Sequence, residues 1–547
     1  MSISTNIIRN KTTPNFINGL TFGLFNWGDI NVPINVSLSN IRTKIGTISD
    51  DNLLSYNDAE SFCNVASNIN VYRVYPSLRQ TFFATDDTIG YINGVSNAHL
   101  IVKTNEVGGV KHWNKVDNGE DVYLNLSSKT DYENLPTYLT NEVLFISAKY
   151  TGSFGNNIRV SIFSYLDDLD DYIMGDDISN SPYAIEYING DLKVNEFLIF
   201  VMIDGNVVEN RILSTNINDE NYIDSYEFEY IDVYYNENIT PCTDDSSDLA
   251  KSQSAPSNLV YQRLEKGFNG YDAIVLDDYN NQLNKLKSRW VSDFRLMYFS
   301  GNNEEIIHIV SDIAKERPDA IFGFCVHGKL NRINAFGNDS FGLMFSGDSD
   351  ILGIDLTTFY KDINTKNCFL INNYSLRNFN GSYIEVSPLG ILMANILKGY
   401  RNNNIISLTR DALSGFLISV NEMKSIKYKE LKKYRVNMIR RNHDRYYLYG
   451  DDTLTKDRWT ISEILIENFI ISKLYAFAES VNGATMNDKI DIQAKKISLH
   501  IRKAISNLTT DFNIKTIINK DGYDITMNVE WKINDKYSGI SINLQTA

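Results

Sequence analysis

Six aspartates crowd one short stretch: Asp167, Asp168, Asp170, Asp171, Asp176 and Asp177. Carboxylates at that density could ligate a hard cation such as calcium, but the stretch lacks the DxDxDG order and closing glutamate of an EF loop, and it reads as a solvated acidic loop. The histidines His99, His112, His308, His327, His443 and His500 lie far apart, and His308 and His500 fall on amphipathic helical patterns where a structural role suffices. Cys63, Cys242, Cys325 and Cys368 show no CxxC spacing, so neither a zinc knuckle nor a disulfide framework is indicated. Phosphate-binding GxGxxG and GxxxxGK[ST], zinc-protease HExxH and nucleophile-elbow GxSxG patterns do not occur. No enzyme, cofactor or metal site is expected. A basic run remains, Lys424, Lys427, Lys429, Lys432, Lys433, Arg435, Arg440, Arg441 and Arg445, which reads as a solvated face or as a partner for acidic surface on a neighbouring subunit.

The composition is that of a packed globular chain. The chain has 547 residues, enough for three or four domains, with 43% hydrophobic and 22% charged residues, an ordinary globular balance. A formal charge of −16 opposes nucleic-acid or anionic-membrane binding as a main function. No apolar run reaches a membrane-spanning length and the first residues lack the apolar core of a signal peptide, so membrane insertion is not expected.

The pattern along the chain is α/β (α+β) and multidomain. Residues 1–18 read as an amino-terminal arm with a weak apolar trace at Ile3, Ile7 and Ile8. In 19–76, Leu20, Phe22 and Leu24 alternate as a strand, a helix is expected over Ser55 to Asn68, and Ile69 to Tyr75 forms the next strand. Residues 77–265 carry short alternating runs, Val143 to Ala148, Ile158 to Phe163, Phe197 to Met202 and Tyr226 to Tyr235, and read as one or two inserted antiparallel β domains. The segment Pro241 to Ser257 reads as an exposed linker. The α/β pattern returns over 266–400, with a helix at Glu304 to Lys315, a buried strand at Ala320 to Val326 and a helix opening after Pro388. Residues 401–533 hold two helical stripes, Trp459 to Ala478 with a capping box at Thr460 and Glu463, and Asp488 to Leu508.

The carboxyl terminus is the most informative stretch. Tyr523, Ile525, Met527, Val529, Trp531 and Ile533 fall on every second position, and after a break at Asn534 to Ser538 the alternation resumes as Ile540, Ile542 and Leu544. A terminal strand of that kind needs a partner. Its own sheet is one; the sheet of another copy is the other, joined through main-chain hydrogen bonds with alternate side chains setting the register.

Four segments resemble the contractile tail sheath proteins of long-tailed bacteriophages and related injection machines. Tyr150-Thr151-Gly152-Ser153-Phe154-Gly155-Asn156-Asn157-Ile158-Arg159-Val160 is similar to a glycine, glycine-asparagine, isoleucine, valine segment at the start of a β-rich region. Val386-Ser387-Pro388-Leu389-Gly390, with Met393 and Ala394, resembles a segment that opens a helix. Val436-Asn437-Met438-Ile439 and Tyr449-Gly450-Asp451-Asp452-Thr453-Leu454 resemble two motifs that precede paired helices, although Tyr449 and Asp452 stand where the family has tryptophan and arginine. The resemblance implies a structural protein of the phage tail, forming hexameric rings stacked helically around an inner tail tube protein, in contact with baseplate and tail terminator proteins, and contracting to drive the tube through the host envelope during genome delivery. It implies assembly in the host cytoplasm and residence in the virion, with no direct contact to nucleic acid. Residues 77–265 become a variable outer domain, 534–547 a strand-exchange arm, and the oligomerisation residues are Ile3, Ile525, Met527, Val529, Trp531, Ile533, Ile540, Ile542 and Leu544. The sheath of a phage-like injection system or bacteriocin would use the same parts; a host-binding tail or baseplate protein is the reading from a different class. The paired helices over 459 to 508 are expected to supply the inner surface.

Overall fold

A computed structural model describes residues 2–4, 18–77, 95–107, 110–115, 126, 128–133, 144–164, 196–235, 261–289, 291–301, 303–325, 363–371, 375–379, 382–401, 412–415, 435–443, 445–481, 499, 511–518, 524–533 and 535–545. The acidic stretch 167–177, the linker 241–257, the basic residues 424–433 and the helical stripe 488–508 apart from Leu499 lie outside the described residues.

The chain opens with β1 (Ser2–Ser4), followed by β2 (Gly19–Gly23), β3 (Ile34–Ser37), α1 (Ile41–Ile45), α2 (Leu53–Ala66) and β4 (Asn68–Arg73). A β-rich region follows: β5 (His99–Val107), β6 (Val110–Lys115), α3 (Lys129–Glu133), β7 (Leu144–Ala148), β8 (Ile158–Ser164), β9 (Glu196–Ile203), β10 (Asn206–Ser214), β11 (Ile231–Tyr235) and β12 (Gln262–Arg263). The alternation of helix and strand then resumes with α4 (Leu276–Leu283), β13 (Leu296–Ser300), α5 (Glu304–Glu316), β14 (Ile321–Cys325) and β15 (Cys368–Ile371). A hairpin of β16 (Ser375–Phe379) and β17 (Ser382–Val386) leads to α6 (Leu389–Arg401), β18 (Val436–Asn442), β19 (Arg445–Tyr449) and α7 (Ile461–Val481). Three strands close the chain: β20 (Asp511–Ile518), β21 (Asp524–Ile533) and β22 (Lys536–Gln545).

The core is an eight-stranded sheet of order β19-β18-β15-β14-β13-β2-β4-β3. Its six inner strands run parallel, and only β19 and β3, at the edges, are antiparallel to their neighbours. Parallel strands are buried on both faces, which is why Ile321 to Cys325 reads as an unbroken apolar run and is wholly buried. On one face Phe62 of α2, Leu392 of α6 and Ile464 of α7 share a cluster with Tyr298 and Phe369; on the other, Leu283 of α4 and Ile307 of α5 meet Phe322 and Leu370.

Buried polar groups fix the second face. The Arg317 guanidinium pairs with Asp319 at 2.9 Å, donates to the carbonyls of Leu286, Ser292 and Phe294, and lies 4.1 Å over the Phe294 ring. Arg295 closes on the other Asp319 oxygen at 2.7 Å. Burial pushes the Asp319 carboxyl up, but Arg317 and Arg295 more than offset it and hold it below its ordinary value.

The inserted region forms a sandwich. Sheets β11-β7-β5-β6 and β10-β9-β8-β12, antiparallel throughout, share one core in which Leu100 and Ile146 of the first meet Ile162 and Val201 of the second. The segment Tyr150 to Val160 is the joint to the core. Gly152 has φ +126, and a side chain there would strike the Asn26 carbonyl. Asn156 exchanges two hydrogen bonds with the backbone of Gly267 at 2.8 and 2.9 Å, so the exit of the insert is tied to its entrance. Arg73, fully buried, donates to the carbonyls of Gly28 and Thr151 at 2.9 and 2.8 Å.

The other three motifs also mark close approaches. A Cβ on Gly390 would stand 2.7 Å from the Asp58 carbonyl, so glycine lets α6 lie directly on α2. Asn437 donates to the carbonyls of Leu370 and Asp452 and accepts from the Asp452 amide, and a Cβ on Gly450, at φ +107, would stand 2.6 Å from the Asn437 side-chain oxygen.

Candidate assembly interface: the terminal sheet

The two ends of the chain lie side by side. A separate four-stranded sheet has the order β1-β22-β21-β20, so the first described strand and the last pair directly, in parallel, with Ser2, Ile3 and Ser4 opposite Ser541, Ile542 and Asn543. β21 and β22 form an antiparallel hairpin in which Ile533 already stands opposite Lys536. The break is therefore shorter than the expected Asn534 to Ser538, and β22 begins four residues earlier than the alternation suggests.

The register brings the expected oligomerisation residues together. Ile540 sits opposite Val529, Ile542 opposite Met527 and Leu544 opposite Ile525, with Ile3 flanking Ile542. Directly opposed residues share a face of the sheet, so the two alternating patterns fall on the same face, as a one-residue slip would not allow. The root of β21 belongs to the subunit's own core: Val529, Trp531 and Ile533 are buried in the cluster that includes Ile461, Ile464 and Leu465 of α7. In the single chain, then, the terminal strand completes its own sheet, the first of the two readings open from sequence.

The expected inner surface needs correction. From Ile461 to Tyr475, α7 buries residues on every side, Glu463, Glu467 and Asn468 included, because it is wedged between the eight-stranded sheet and the terminal sheet. A helix buried on every side is an internal one and cannot itself line an inner surface of the assembly. The second stripe, Asp488 to Leu508, lies outside the described residues except for an exposed Leu499.

A polar latch that the sequence did not reveal ties the root of β22 to α7. Thr460 and Glu463 form the expected capping box, the Thr460 hydroxyl accepting from the Glu463 amide at 3.2 Å and the Glu463 carboxylate accepting from the Thr460 amide at 2.9 Å. The same carboxylate takes Lys536 at 2.5 Å, and Lys536 also donates to the Arg458 carbonyl. One turn on, buried Glu467 receives Lys366 at 2.6 Å and the Ser538 hydroxyl. Both ammonium groups lie over the Trp459 ring, at 5.0 and 5.2 Å from its centre. Charge-assisted bonds in so buried a setting hold Lys536 and Ser538 firmly. The first residue past the latch is Gly539, whose missing side chain leaves the Val529 carbonyl 3.0 Å from the Cβ position. One signal was available: Glu467 is a charge inside an apolar helix, four residues after Glu463.

Among the described residues no group of three histidine, cysteine or acidic side chains could hold a metal ion, and no helix is long and apolar enough to cross a membrane. Burial drives the His99 ring down to about 4 and the Cys63 thiol up to about 12, the settings of packed side chains rather than of bases or nucleophiles. His308 faces Glu304 along α5, and His443 lies in the β18–β19 turn.

No family model matches the sequence, and no curated protein matches it. Solved structures do. The fold is similar to that of the sheath tail protein of Desulfitobacterium hafniense, with a TM-score of 0.51 at 11% identity over 99% of this chain and 100% of that one. It is also similar to the sheath tail protein Lin1278 of Listeria innocua, with a TM-score of 0.52 at 11% identity over 97% and 96% of the two chains. The chain therefore has the fold of sheath tail proteins over nearly its whole length.

Proposed function

We propose that this protein is the subunit of a contractile tail sheath, a structural protein that polymerises around an inner tube and works by changing its packing. The observation that carries this reading is the terminal sheet: both chain ends meet on one edge of a hairpin that the latch fixes to the core. The fold shared with sheath tail proteins supports it. In the assembly, the β22 segment beyond Gly539 and the arm around Ile3 leave their own sheet and take the same places in neighbouring subunits, since exchanged elements reuse the contacts of the closed form. The latch keeps Lys536 and Ser538 at home, so Gly539 is where the strand departs.

Each inter-strand hydrogen bond nets about 0.5–1.5 kcal/mol, so one exchanged strand contributes only a few kcal/mol. Many such links at once hold each subunit in a helical array of stacked hexameric rings. Because the links are extended strands, compact cores can rotate and slide between an extended and a contracted lattice without separating. Contraction lowers free energy by enlarging contacts between subunits and needs no nucleotide. The partners are other copies, the tube protein, and the baseplate and terminator proteins at the two ends; the setting is a phage tail, and the sandwich forms its decorated outer surface.

Electron microscopy of the purified protein tests this. Long tubes are expected, with a folded, soluble monomer after deletion of Gly539 to Ala547. Discrete trimers, or normal tubes from the shortened chain, would overturn it.

A further inference from the structure

A charged projection of the core is not used by strand exchange. β18 pairs with β15 only through Val436 and Asn437, so from Met438 onward the β18–β19 hairpin overhangs the carboxyl end of the sheet. Its mount is rigid: Ile439 and Leu448 are buried in the core cluster, and Asn437 ties its base to the Asp452 backbone. Its tip carries Arg440, Arg441 and Arg445, and Arg440 lies 4.7 Å over the Tyr449 ring. Arg445 is exposed, and neither Arg440 nor Arg445 has an ion pair among the described residues.

A complementary patch lies elsewhere on the same sheet. Asp50 and Asp51 precede α2, whose Ser55 accepts from the Leu24 amide just past β2, so they stand at the carboxyl end of β2; Asp272 is beside them. All three are exposed and have no ion pair among the described residues. Their closeness is felt: burial first, then the Asp272 and Asp50 charges, pushes the Asp51 carboxyl up. β19 and β2 are five places apart in the strand order, roughly 24 Å at about 4.8 Å per spacing, too far for the two patches to meet within one copy.

We propose that the arginine tip of the β18–β19 hairpin docks on the Asp50, Asp51 and Asp272 patch of a second copy of this chain, as a head-to-tail contact between neighbouring cores. Opposite signs on different parts of one surface make a heterologous contact, the kind that propagates into rings or helices. A chain of net charge −16 repels its copies at long range, so a local region of positive sign sets which faces can approach. The inference deepens the sheath reading and rests on it for its biological setting, but the contact can be measured alone.

The test uses two full-length variants, Arg440→Glu with Arg445→Glu, and Asp50→Lys with Asp51→Lys, each checked for an unchanged melting transition. Sedimentation velocity at low salt compares their self-association with that of the original chain. Each variant alone should associate about tenfold more weakly, an equimolar mixture should recover, and added salt should weaken the mixture. Association equal to the original in either variant, failure of the mixture to recover, or no association of the original chain would overturn the contact. Recovery in the mixture without tubes from the original chain would support the contact and count against the sheath; tubes from both variants would do the reverse.

Discussion

The eight-stranded sheet and the terminal sheet are built from the same kinds of residues and differ in where their partners come from. In the core, inner strands are flanked on both sides, helices cover both faces, and even the buried arginines and Asp319 answer one another. In the terminal sheet, β1 contributes three residues at one edge, and the apolar pattern continues to the end of β22 while the latch holds only its root. The first is finished by its own chain. Under the proposed exchange, the second is finished by another copy that offers the same strands, so that one molecule is both a rigid body and a link.

The largest effect should come from breaking the finished side. Arg317→Ala leaves buried Asp319 with Arg295 alone, takes the guanidinium donor from the Leu286 and Ser292 carbonyls, and should cost about 3–5 kcal/mol in denaturant unfolding. A loss below about 1 kcal/mol would mean that the core does not depend on this network.

The next effect is a pH dependence of the same core. Burial, partly offset by the Ser300 hydrogen bond, raises the Asp58 carboxyl from 3.8 to about 8. The folded chain keeps a proton that the unfolded chain releases near pH 4. Its contribution is therefore fully present below about pH 4 and is lost as pH rises toward about 8. Asp58→Asn should flatten that slope in melting temperatures taken from pH 4 to 9; an unchanged slope would assign it to other groups.

A smaller effect sharpens the contrast from the other side. Glu467→Ala removes the acceptor for Lys366 and Ser538 and should cost about 1–3 kcal/mol, with faster amide hydrogen exchange in β22 than in β14. Equal exchange in the two strands would remove the difference between the sheets.

The parts legible in sequence were those with a local period. The buried run at Ile321 to Cys325, the stripe of α5, the helix after Pro388 and the alternations of β21 and β22 all state their own structure within a few residues. The glycine-asparagine segment at Gly152 to Asn157 was visible as a pattern, but its work, holding the insert's exit at Gly267, joins positions more than a hundred residues apart. The latch was illegible for the same reason: Lys366, Trp459, Glu467 and Ser538 become neighbours only after folding. The length of the β21–β22 turn was hidden because Lys536 and Ser538 look like loop residues until their carboxylate partners are in view. That α7 is buried all round was not legible, because helical spacing shows that one face is buried and says nothing of the opposite face.

The central claim is that the terminal strands change owner on assembly. Asn528 and Ser541 are direct cross-strand partners at polar positions, a spacing suited to a disulfide when both are changed to cysteine. The Asn528→Cys, Ser541→Cys protein should oxidise within the chain as a monomer and, once tubes have formed, give a ladder of covalently joined subunits on a non-reducing gel. Tubes that yield only internally bridged single chains would contradict it.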